Sequence, residues 1–73
     1  MPTNRTVYRY HFKLGNKIVH TGITNNLFRS EEEHQEKPGW NKGHIKPVGL
    51  RTTKEAALAW EEEQRRLGKP VGS

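Results

Sequence analysis

The run His20-Thr21-Gly22-Ile23-Thr24-Asn25-Asn26-Leu27 governs how the other residues of this chain are read. It has the pattern of a strand end, a sharp glycine turn and a helix start, with Asn25 or Asn26 able to cap the helix by accepting a free backbone N–H. Upstream, Tyr8, Tyr10, Phe12 and Leu14 alternate with Val7, Arg9, His11 and Lys13, the period of a strand. Gly15-Asn16 tolerates positive φ, so a hairpin joins that strand to a return strand over Lys17 to Thr24. A two-residue loop would pair Phe12 with Val19 and Tyr10 with Thr21. A three-residue loop that includes Leu14 would pair Phe12 with Ile18 and Tyr10 with His20. The longer loop is the expectation, because it gathers Tyr8, Tyr10, Phe12, Ile18 and His20 on one face.

Downstream, a helix runs from Leu27 to Glu36, with Glu31, Glu32 and Glu33 in its first half and Pro38-Gly39 as its stop. His44 to Arg51 reads as a third strand that Pro47 confines to an edge or a bulge. Thr52 and Glu55 have capping-box spacing, and an alanine-rich helix follows from Thr53 to Leu67. On it Ala57, Trp60, Gln64 and Leu67 share a face, and Gly68 and Pro70 end it. Met1 to Thr6 and the residues after Gly68 read as loose ends. The expectation is one α+β domain, an α/β sandwich in which a small three-stranded antiparallel sheet is flanked by helices in the order β-β-α-β-α.

Seventy-three residues leave room for a single small core. The absence of cysteine excludes a disulfide framework and a thiolate zinc site. No apolar run reaches membrane length and no signal peptide is legible, so a soluble cytoplasmic protein with no membrane partner is expected. Thirteen Lys and Arg against eight acids give a net charge of +5, which suits a polyanion such as nucleic acid. No phosphate loop, dinucleotide fingerprint or nucleophile elbow is present, so no small-molecule cofactor is expected.

The candidate chemistry is spread along the chain. Tyr8 and Tyr10 can orient a phosphate or activate water, although tyrosine also suits a half-buried strand. His11, His20, His34 and His44 do not make a zinc pattern, but His20 is a chemically sensible general base. Glu61 follows Trp60 on the core-facing edge of the last helix, where a carboxylate can hold Mg²⁺, while Glu62 and Glu63 turn to solvent. Arg29, Lys37, Lys42, Lys46, Arg51 and Lys54 can grip a phosphate backbone, and Trp40 among them can stack on a base or close the core.

Taken together, Tyr8-Arg9-Tyr10, His20-Thr21-Gly22-Ile23-Thr24, Asn26-Leu27, Arg29, Glu33-His34 and Ala56-Ala57-Leu58-Ala59-Trp60-Glu61 resemble the GIY-YIG nuclease superfamily, in its compact stand-alone bacterial form. The resemblance spans residues 6 to 67. It implies hydrolysis of a DNA phosphodiester with one divalent cation, Mg²⁺ or Mn²⁺, in a monomer or weak dimer. It implies a site tyrosine at Tyr10 or Tyr8, a proton-handling group at His20, a phosphate-neutralising cation at Arg29, a further site residue at His34 and a metal carboxylate at Glu61. Lys42, Lys46, Arg51 and Trp40 would contact the nucleic acid. Two positions depart from the family pattern: His20 stands where a second tyrosine is expected, and Ser30 where an arginine is expected four residues before His34. The alternative expectation is therefore a weakened or inactive domain that only binds nucleic acid or a protein.

Overall fold

A computed structural model describes residues 5–71. The expected loose ends at Met1–Asn4 and Gly72–Ser73 lie outside them. The elements are β1 (Tyr8–Leu14), β2 (Lys17–Thr24), α1 (Leu27–Gln35), β3 (His44–Pro47) and α2 (Lys54–Arg66). The strands form one antiparallel sheet in the order β2-β1-β3. The α+β class and the β-β-α-β-α order match the sequence reading.

β1 is central because its two faces carry different cargo. Tyr10 and Phe12 point to one side and are buried, 4% and 0% exposed. His11 points to the other, where its ring lies 5.4 Å from that of Trp60 on α2. On the first side His34 of α1 meets both Tyr10 and Phe12, with ring centroids 5.8 and 5.2 Å apart. The two helices therefore press on opposite faces of one strand, as period-two alternation requires.

The hairpin register differs from both alternatives read from the sequence. Leu14 pairs with Lys17 across Gly15-Asn16, so the loop has two residues, with Gly15 at φ 61°. The register then shifts between Lys13 and Phe12, leaving Val19 as an extra residue. Beyond this bulge Phe12 faces His20 and Tyr10 faces Gly22. The expected three-residue loop is thus replaced by a tight turn plus a bulge, which restores the same parity one residue later. Residues directly opposite share a face, so His20 joins Tyr8, Tyr10 and Phe12 as expected. Ile18, opposite Lys13, does not.

Gly22 is likewise not a turn. It lies inside β2, and the chain bends at Asn25-Asn26. A Cβ at Gly22 would fall 2.8 Å from Tyr10 Oη and 3.3 Å from His20 Nε2. Glycine is needed there because two rings close over the strand backbone.

Asn26 caps α1, its Oδ1 accepting from Arg29 N at 3.0 Å. The helix ends one residue earlier than expected, with Glu36 as its C-cap. β3 stops at Pro47 instead of reaching Arg51, and it is an edge strand. Pairing with β1 resumes where Val7 and Thr52 exchange backbone hydrogen bonds of 3.0 and 2.7 Å. Because Thr52 is held there, the N-cap of α2 is Thr53, which accepts from Ala56 N at 3.2 Å, and the expected capping box with Glu55 does not form. Ala57 is fully buried and Trp60 and Gln64 partly so, but Leu67 is 63% exposed and serves as the C-cap, not as part of the apolar face. The segment after α2 is also not free: Val71 makes a parallel bridge to Thr21 on the outer edge of β2.

No helix among the described residues is long and apolar enough to cross a membrane.

Candidate active site

Tyr10, His20 and His34 come from β1, β2 and α1 and meet under Trp40. Tyr10 Oη lies 2.8 Å from His34 Nε2. The His20 and His34 rings are 4.4 Å apart, and His20 is 6.0 Å from the Tyr10 ring. Trp40 stacks on Phe12 at 5.5 Å and stands 6.1 and 5.9 Å from His20 and His34. The loop that carries it is pinned by Trp40 N donating to Lys37 O and by Gln35 donating to Gly43 O. Gly43 is buried because a Cβ there would enter the Phe12 ring.

Burial governs the electrostatics. Tyr10 is pushed up to about 12, first by desolvation and then by the carboxylates of Glu61 and Glu33. His20 is pushed down to about 4 by burial, with His34 and Lys37 adding to the shift. His34 is lowered by burial and by Lys37, with Glu33 opposing. At neutral pH the phenol therefore keeps its proton and both imidazoles are uncharged. Tyr10 Oη and His34 Nε2 share a hydrogen bond whose donor follows from the His34 tautomer, and the other ring nitrogen, His34 Nδ1, is buried with no partner among the described residues.

These shifts predict acid sensitivity. A histidine lowered on folding stays neutral in the native state while the unfolded chain takes up protons. Stability is then complete above about pH 6.5 and is lost as pH falls toward about 4. His20 alone should make urea unfolding about 2 kcal/mol easier at about pH 5 than at about pH 7.5, with His34 acting in the same direction. A urea midpoint that does not move between those conditions would contradict this account of the cluster.

Glu61 is carried by α2, which packs on the other face of β1 from Tyr10, yet its charge still helps to raise the Tyr10 phenol; it is half-buried, while Glu62 and Glu63 are exposed. Glu62 and Glu63 pair on the surface with Arg65 and Arg66 at 2.8 and 4.0 Å. Among the described residues no group of three or more His, Asp or Glu side chains converges as a metal cage. A single carboxylate beside a substrate phosphate is nevertheless the mode in which Mg²⁺ binds, keeping several waters. Glu61, half-buried on α2, is the carboxylate to which the resemblance gives that role.

Two comparisons of position separate the candidates. Tyr8 is two residues from the cluster and lines a different groove, so Tyr10 is the tyrosine that the fold brings to the histidines. Arg29 is not brought there. It is exposed, with Nη2 donating to Asn25 at 3.1 Å and Nε 3.9 Å from Glu33. Position 30, one turn before His34, occupies the inward side of α1, and Ser30 fills it. Ser30 is 7% exposed and its Oγ donates to Thr24 Oγ1 at 2.6 Å. Lys42, Lys46 and Arg51 are exposed. The cation whose charge reaches both site imidazoles is Lys37, and its Nζ sits 4.8 Å from the Trp40 ring centroid. Sequence reading placed Lys37 only within a general basic set. Its helix-end spacing of three from His34 was the available signal.

No family model, curated protein or solved structure matches the chain. The site must therefore be judged on its own geometry. That geometry is a phenol hydrogen-bonded to a neutral imidazole, with a second neutral imidazole beside it, a carboxylate within electrostatic reach and a lysine at the rim.

Proposed function

We propose that this chain is a GIY-YIG-like domain that hydrolyses DNA phosphodiesters slowly, with one divalent cation, Mg²⁺ or Mn²⁺, at Glu61. The observation that carries the reading is the meeting of Tyr10, His20 and His34, from three separate elements, where the charge of Glu61 is felt. In this scheme Tyr10 takes a proton from the attacking water while passing its own to His34 Nε2. The phenol stays neutral throughout, as its raised pKa demands, and His34 becomes the charged partner. His20, neutral at working pH, orients the water or receives the proton in turn. Lys37 lies where it can offset charge on the phosphate. Glu61 would hold the divalent cation, which when bound would supply Lewis-acid charge stabilisation to the reaction. DNA is the partner, met by Lys42, Lys46 and Arg51 at the surface. Trp40 closes the cluster, its ring stacked on Phe12. The same reading has the protein act in the cytoplasm as a monomer or weak dimer.

A second reading is favoured by one feature. Arg29 faces solvent and Ser30 is tied to Thr24, so the inward position on α1 lacks its guanidinium. On that account the domain binds nucleic acid or a protein and does not cut.

Plasmid nicking separates the two. The first reading expects nicking that needs Mg²⁺ or Mn²⁺ and disappears in Glu61→Gln. Nicking that survives chelation, or that Glu61→Gln leaves intact, overturns it. No nicking by the native chain, with cleavage appearing in Ser30→Arg, establishes the second.

A further inference from the structure

Along the same sheet face, one step from Tyr10, lies an open groove of about 420 Å³ walled by Arg5, Tyr8, Leu27, Leu50 and Arg51. It lies beside the site on the same face of the sheet. Tyr8 and Tyr10 point to the same side of β1, and Pro47, which pairs with Tyr10 across the sheet, also lines the groove. Two residues along a strand span about 7 Å, the scale of one nucleotide step in an extended backbone.

The lining is polarised. Arg5 and Arg51 provide two guanidiniums, and no carboxylate lines the groove. Among the described residues neither arginine makes an ion pair. Arg9, which alternates to the other face of β1 from Tyr8, reaches the backbone of Gly49, another wall residue, where a Cβ would come 2.8 Å from Arg9 Nη2. The Arg9 Nε is buried and has no partner among the described residues. Two guanidiniums lining one groove with no acid beside them favour an anion there. Against them stand a tyrosine ring and Leu27, with Leu50 left 86% exposed. An anionic group beside a flat apolar one is the outline of a nucleotide.

We infer that this groove holds the nucleotide next to the scissile phosphodiester, its phosphate on Arg5 and Arg51 and its base or sugar against Tyr8, Leu27 and Leu50. The inference rests on the nuclease reading and adds a place for the flanking unit of the strand. Its contribution is positioning: gripping one phosphate fixes which linkage lies over Tyr10.

The test is binding of a fluorescently labelled oligonucleotide, followed by anisotropy over a salt series with a chelator present so that nothing is cut. Arg5→Gln and Arg51→Gln should each weaken binding and reduce the salt slope by about one phosphate contact. Lys17→Gln, an equal charge loss at the far hairpin tip, should leave the slope unchanged. Replacing one internal linkage by a neutral methylphosphonate should weaken binding to the native chain and make little difference to Arg51→Gln. If the native chain binds but the arginine variants lose no more than Lys17→Gln, the groove is not a subsite, and the nuclease reading stands. If the native chain binds no oligonucleotide even at low salt, the nuclease reading fails and the subsite with it.

Discussion

Tyr10→Phe should eliminate metal-dependent nicking, by on the order of a hundredfold or more, and leave the fold in place. The change removes one oxygen. The ring that packs between His20 and His34 remains, so Phe12, Trp40 and the sheet keep their contacts. What is lost is the hydroxyl that shares a hydrogen bond with His34 Nε2. The substitution also leaves that nitrogen without its partner, which should cost about 1–3 kcal/mol of stability. An ultraviolet titration of the native protein should show one phenol ionising near 12, and the variant should lose that step. Because the tyrosine is raised on folding, its share of stability holds below about pH 10 and disappears as pH climbs toward about 12. Nicking within a few-fold of the native rate in Tyr10→Phe would remove the phenol from the mechanism.

Phe12→Ala should remove a large share of the protein's stability. Phe12 is fully buried on the central strand, stacked on Trp40 and touching His34, with Gly43 close against its edge. Truncating a buried phenylalanine costs about 3–5 kcal/mol. A domain of this length has roughly 4–11 kcal/mol in total at the usual stability per residue. Few other apolar side chains can take over, since Tyr10, Phe12 and Ala57 are the buried apolar residues among those described. Circular dichroism and urea titration at neutral pH would check this. A cooperative transition within about 1 kcal/mol of the native one would mean that the core lies elsewhere.

The sequence carried the element order well because each element had an independent local signal: alternation in β1, Asn26 at the start of α1, Pro47 limiting β3 and the alanines of α2. It carried the register poorly. Whether Val19 bulges is settled by what must lie opposite Phe12, and no property of Val19 announces it. Thr52 was misread for a similar reason. A threonine before a helix can cap or can pair, and the neighbouring strand residue Val7 decides between them. At the site, Tyr10 and His20 were legible from strand parity and His34 only through the resemblance, whereas Arg29 turns to solvent. Its direction depends on the rotation of α1, which the bond from Ser30 to Thr24 fixes. The groove by Arg5 was invisible because residues near the start of a chain read as frayed, whereas the Val7–Thr52 bridge ties the segment next to Arg5 to the one that carries Arg51.

The two rims of the sheet are guarded by different means. On β3 a proline withholds its donor and Lys46 adds an exposed charge. On β2 the bridge from Val71 sits at Thr21, midway along what would otherwise be a free row of amides and carbonyls. Open rims recruit strands from other molecules, and a small, weakly buried domain can ill tolerate that. Crossing one rim with its own chain and blunting the other hinders the growth of β-stacked aggregates, so the aromatic face stays available to a ligand instead of to copies of itself.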